Sequence, residues 1–99
     1  MGTKKRYIEL IKDYFVQQPV VKAYFFGSVA RNEDNQNSDI DILVELSEEA
    51  DLFTFIQMKN QLETLLGRAV DLVSTRGLSS RIVPFIEKDK VLIYERKAS

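Results

Sequence analysis

Ninety-nine residues, 44% of them apolar and 29% charged, are enough for one domain with one core and too apolar for a disordered chain. The chain has no cysteine and no histidine, which excludes disulfides, thiolate chemistry and the commonest general base and zinc ligand. A formal net charge of −1 points away from a nucleic-acid partner; no signal peptide and no bilayer-length apolar run of ~20 residues is visible, so a cytoplasmic protein without a membrane partner is expected.

Tyr7, Ile8, Ile11, Tyr14 and Phe15 recur at helical spacing and predict a helix over 4–16, with Thr3 as its N-cap and Pro19 beyond its end. Val20 to Phe26 is a β-rich run that reads as a buried strand. Gly27-Ser28 follows at once, and Ser28 to Arg31 reads as the first turn of a short helix. A polar loop runs from Asn32 to Ser38. Ile40, Ile42 and Val44 alternate with Asp39, Asp41 and Leu43, which predicts a strand over 39–45. Asp51 is placed to cap a helix that runs to Leu66, with Leu52, Phe55, Ile56, Leu62, Leu65 and Leu66 as its apolar face and Gly67 as its stop. Residues 69–73 form a third strand. Ser79 or Ser80 would cap a last short helix containing Ile82, Phe85 and Ile86, its regularity limited by Pro84. Val91 to Tyr94 is a fourth strand. The alternation α, β, short α, β, α, β, α, β argues for a sheet with helices packed on it, an α/β (α+β) chain of one domain over 1–99.

Three features in this frame carry chemistry. Side chains at i and i+2 of a strand share a face, so Asp39 and Asp41 project together, about 6–7 Å apart along the backbone. Aspartate is a poor strand former and the pair repels, yet the apolar opposite face holds both on a rigid element. A divalent cation would relieve the repulsion, and carboxylate oxygens suit Mg²⁺. Asp71, between Val70 and Leu72, repeats the pattern. If its strand adjoins the first, three carboxylates share one face, as in two-metal phosphoryl or nucleotidyl transfer. Gly27 lets the backbone approach a phosphate, the amides of the following turn supply donors, and Ser28 adds a hydroxyl. Arg31 either offers charge to a triphosphate or pairs with a local acid.

Taken singly, each feature also reads as ordinary surface. Gly-Ser after a strand is common, and an Asp-any-Asp strand can show a solvated face. Arg31 can be a surface ion-pair partner. Lys4-Lys5-Arg6 reads as a solvated helix start. Tyr7, Tyr14, Tyr24 and Phe53 read as core or half-buried, and Arg76 and Arg81 as rim residues that meet substrate phosphate.

The stretch Phe26-Gly27-Ser28-Val29-Ala30-Arg31, followed by Ser38-Asp39-Ile40-Asp41-Ile42-Leu43-Val44, resembles the minimal nucleotidyltransferases of the DNA polymerase β superfamily. Gly-Ser, ten residues, then Asp-any-Asp is the shared spacing, met at 27–28 and 39–41. The resemblance implies a small mixed sheet of the polymerase β-like nucleotidyltransferase fold, ATP as nucleotide donor and two Mg²⁺ ions. It carries the metal pair onto Asp39 and Asp41, the triphosphate turn onto Gly27 and Ser28, and the third carboxylate onto Asp71. Short members of this kind are commonly antitoxins of HEPN-domain ribonuclease toxins and, in studied cases, silence them by adding AMP to a tyrosine. Many members have glycine after the arginine where this chain has Asn32, a residue that tolerates a left-handed backbone. The expected function is therefore Mg²⁺-dependent transfer of AMP from ATP to a tyrosine hydroxyl of a partner HEPN toxin. Neutralisation by binding alone is the alternative, as is transfer to a small molecule or RNA.

Overall fold

In a computed structural model, which describes residues 2–35, 37–76, 78 and 80–97, four helices and four strands alternate as expected. They are α1 (Gly2–Phe15), β1 (Val20–Phe26), α2 (Gly27–Ala30), β2 (Ile40–Leu46), α3 (Leu52–Leu66), β3 (Val70–Ser74), α4 (Val83–Asp89) and β4 (Val91–Glu95). The sheet order is β3-β2-β1-β4, with β2–β3 parallel and both other pairs antiparallel. The sheet is therefore mixed.

One face of the sheet buries Ala23, Phe25, Ile40, Ile42, Val44, Val70, Leu72 and Ile93 against Ile11 and Phe15 of α1 and Met58, Leu62 and Leu66 of α3. These side chains alternate along their strands, so one turn of the pleat sends apolar groups to the core and its neighbours to the other face. Among the described residues no polar or charged residue is buried. No helix among them is long and apolar enough to cross a membrane.

Several local expectations need correction. α1 reaches back to Gly2, so Thr3 lies inside the helix instead of capping it. The buried stripe of α3 is Met58, Leu62 and Leu66, at i, i+4 and i+8, with Phe55 partly buried; Leu52, Ile56 and Leu65 are exposed. Apolar residues surround this helix on nearly every side, so contact with β3 and α1 selects the stripe. Phe53, expected to be at least half-buried, is 84% exposed, whereas Tyr7, Tyr14 and Tyr24 are half-buried. At α4 the cap position is Ile82, which offers no side-chain cap; Ser80 stands two residues earlier, and Ser79 lies outside the described residues. Pro84 sits in the first turn, where a missing N–H breaks no helical bond.

The ends of α3 form as expected. The Asp51 carboxylate accepts the Thr54 amide at 2.8 Å, and Gly67 takes the left-handed conformation at φ 67° while its amide closes on Glu63. The bond to Thr54 holds the Asp51 carboxyl below the usual aspartate range. Asp51→Ala removes this cap and is expected to lower the thermal midpoint by about 5 °C. A melt by circular dichroism checks it, and an unchanged midpoint would remove the cap from the account of α3.

Candidate active site

The parallel pairing of β2 with β3 places Asp41 directly opposite Asp71, and the antiparallel pairing of β1 with β2 places Phe26 opposite Asp41. Residues opposite one another in a ladder share a face, and neighbouring strands lie about 4.8 Å apart. The two carboxylates therefore stand side by side on the face away from the α1/α3 core. Ile40, Ile42, Val70 and Leu72 flank them and are buried, which fixes the backbone that carries them. β2 begins at Ile40, one residue later than expected, so Asp39 stands just ahead of the strand, and it is exposed.

Asp41 shows how close these groups are. Burial first, then the charges of Asp71 and Asp39, push its carboxyl up to about 6, against a smaller opposing pull from Arg31. A carboxylate raised in this way is a group whose charge lacks compensation.

Gly27 stands at the junction of β1 and α2 with φ 69°, a conformation costly for residues with a Cβ. A Cβ at Gly27 would overlap Asp41 Oδ2 and fall 3.1 Å from its Cγ. The glycine thus serves a second purpose beyond the expected approach to phosphate: it makes room for the Asp41 carboxylate. Phe26, at the cap position of α2, supplies no side-chain acceptor to the turn. Ser28 follows in α2, and its carbonyl accepts the Glu33 amide at 2.8 Å. Asn32 adopts φ 60°, so the left-handed turn survives without glycine. The Asn32 amide donates to Val29 O, and Lys4 Nζ donates to Asn32 Oδ1 at 3.1 Å.

Arg31 pairs with local acids: Nη1 lies 2.7 Å from Asp89 and Nε 2.9 Å from Glu33. It also lines a cleft of about 210 Å³ together with Phe26, Gly27, Asp71, Phe85 and Asp89. Arg76, expected at the rim, instead donates to Ser47 O at 2.8 Å and Ala50 O at 3.2 Å, and so ties down the loop between β2 and α3. Arg81 is exposed and precedes Ile82, which lines the cleft.

Arg68, which belongs to no motif in the sequence, joins the site through the backbone ahead of Asp39. Its Nη2 donates to Ser38 O at 2.6 Å and Asn35 O at 2.7 Å, and its Nη1 lies 3.1 Å from Asp34. Only its position just ahead of the Asp71 strand could have drawn notice.

Among the described residues no three carboxylate, imidazole or thiolate side chains are gathered into a ready-made metal cage. The donor set still fits one metal class. Mg²⁺ keeps waters and binds through one or two carboxylates plus substrate phosphates, not through an all-protein cage. Asp39, Asp41 and Asp71 supply oxygen donors only, and Asp41 carries the uncompensated charge that such a cation relieves.

The comparisons with known proteins agree with this fold. The family model described as "Polymerase beta, Nucleotidyltransferase" matches residues 9–99. The protein adenylyltransferase MntA of Thermococcus cleftensis is 41% identical over 68 residues, which cover 69% of this chain and 69% of that protein. The solved structure of a provisionally described minimal nucleotidyltransferase superposes with a TM-score of 0.75 at 34% identity, covering 88% of each chain. A chain from the complex of tri-AMPylated Shewanella oneidensis HEPN toxin with MNT antitoxin superposes with a TM-score of 0.66, covering 95% of this chain and 71% of that one; at 22% identity this is a likeness of fold. The sheet, the site face and the match across nearly the whole length lead to one conclusion: the chain belongs to the polymerase β nucleotidyltransferase family.

Proposed function

We propose that this nucleotidyltransferase moves AMP from ATP onto a tyrosine hydroxyl of a partner protein of the HEPN-toxin kind and thereby acts as its antitoxin. The observation that carries the reading is the Asp41–Asp71 pairing beside Asp39 and Gly27. The adenylyltransferase name of the Thermococcus relative and the AMPylated toxin of the Shewanella complex support the choice of nucleotide and acceptor.

In this reading Gly27, Ser28 and the amides of their turn hold the triphosphate, with Arg31 at the edge of the same cleft. Asp39 and Asp41 would hold Mg²⁺, with Asp71 beside them. When bound, the metal supplies positive charge to the phosphates and to the attacking oxygen. Asp71 takes the proton of the acceptor hydroxyl as its oxygen bonds to the α-phosphorus. The bond from that phosphorus to the β-phosphate oxygen breaks, and pyrophosphate leaves. Exposed apolar side chains that line the cleft, Ile82 and Phe85, support an acceptor supplied by a protein partner.

The test mixes the chain with Mg²⁺, each of the four nucleoside triphosphates and the protein encoded beside it, then reads the intact mass of both proteins. A gain of one or more AMP units on the partner is expected, and Asp39→Asn/Asp41→Asn is expected to abolish it. A stable complex that forms equally with that variant, with no mass gain, would replace this reading by neutralisation through binding alone.

A further inference from the structure

We infer that Arg68 is the positioning residue that sets Asp39, and that it tunes how tightly the site takes a divalent cation; this rests on the reading of Asp39 as a metal ligand. Asp39 precedes β2 and lacks the ladder partner that fixes Asp41. Two consecutive residues ahead of β3 hold it instead. Arg68 Nη2 donates to the Ser38 carbonyl at 2.6 Å, and the Ala69 carbonyl accepts the Ile40 amide at 2.9 Å. The Ser38 carbonyl and the Asp39 nitrogen belong to one rigid peptide plane, and the Asp39 carbonyl and the Ile40 nitrogen to the next. Both planes that meet at the Asp39 Cα are therefore held from the two residues that lead into the strand that carries Asp71.

The guanidinium also organises the approach to Asp39. Nη2 reaches Asn35 O at 2.7 Å and Nη1 reaches Asp34 at 3.1 Å. The turn it grips is closed by Ser38 N on Asn35 O and by the Asn35 amide on Ser38 Oγ. The Tyr7 ring lies 5.8 Å from the guanidinium carbon, within range of a cation–π contact that braces the group from α1. The Arg68 side chain is only 11% exposed, so water competes little for these bonds. A planar fork can serve two carbonyls and a carboxylate at once, and a lysine ammonium reproduces the charge without that geometry.

The test compares wild type, Arg68→Lys and Asp34→Ala. Mn²⁺ binding is followed by electron paramagnetic resonance in the presence of a non-hydrolysable ATP analogue, alongside thermal melts. Arg68→Lys is expected to weaken Mn²⁺ about tenfold, the usual effect of losing a residue that orients a metal ligand. Its transfer rate is expected to fall at low Mg²⁺ and recover at high Mg²⁺, which a general loss of structure would not allow. Asp34→Ala, which removes one half-buried anchor and leaves the Ser38 bond, should weaken Mn²⁺ in the same direction by a smaller factor. A folded Arg68→Lys that binds Mn²⁺ as wild type does overturns this inference alone. If Arg68→Lys does not fold, unchanged Mn²⁺ affinity in Asp34→Ala overturns it. A wild type that binds no Mn²⁺ overturns the reading of the site as well.

Discussion

Asp41→Asn is expected to lower nucleotidyl transfer by roughly a thousand-fold or more while making the protein more stable at neutral pH. The two effects have one cause. Burial and the neighbouring Asp71 and Asp39 push the Asp41 carboxyl up to about 6 in the folded protein. Unfolded, an aspartate titrates near 3.9. Between these values the folded state binds the extra proton, so stability falls as pH rises through the window and levels off above 6. Two pKa units correspond to about 2.7 kcal/mol, but Asp41 is partly open to solvent, and screening leaves about 1 kcal/mol. Asparagine keeps the shape and carries no charge. Thermal melts without added metal should therefore show the variant ahead of wild type by a few degrees at pH 7 and level with it near pH 4. A variant less stable than wild type at pH 7 would mean that the Asp41 carboxylate is held by favourable contacts, and the uncompensated charge would disappear from the argument. Loss of activity with gain of stability is the signature of a group kept for chemistry at the fold's expense.

Much of this was legible in the residues. The alternation around Asp39, Asp41 and Asp71 showed which side chains leave the core, because a strand of period two leaves no other arrangement. Asp51 and Gly67 marked both ends of α3, since each answers a backbone need that few residue types meet. The neighbour of Asp71 was not legible: strand order depends on how the chain crosses over, and the local pattern around residue 71 is the same beside any strand. The face of α3 was misread for a different reason. With Leu52, Phe53, Phe55, Ile56 and Met58 crowded into two turns, periodicity admits more than one stripe, and only packing on the sheet chose Met58 over Ile56. Arg68 escaped notice because its work is done on backbone carbonyls, and a carbonyl leaves no trace in residue identity.

Gly27→Ala is expected to be the most damaging substitution of the turn, through two separable costs. The first is conformational: φ 69° costs a residue with a Cβ about 1 kcal/mol or more. The second is steric. The new methyl would overlap Asp41 Oδ2, and the carboxylate must swing away or the backbone must shift. Together they should cost about 2–3 kcal/mol of stability and about a hundred-fold in transfer, because the displaced group is the one paired with Asp71. A double-mutant cycle with Asp41→Ala separates the two. In that background the clashing atoms are gone and only the Asp41 Cβ remains, 3.4 Å from the new methyl, an ordinary contact. Gly27→Ala should then cost only the conformational part, about 1 kcal/mol, which leaves a coupling of at least ~1 kcal/mol between the two positions. Chemical denaturation of the four proteins measures it. Additive costs would mean that Gly27 answers to its backbone angle alone; coupling of the stated size means that the turn and the Asp41 carboxylate were built as one unit, with the glycine chosen for Asp41 as well as for its backbone angle.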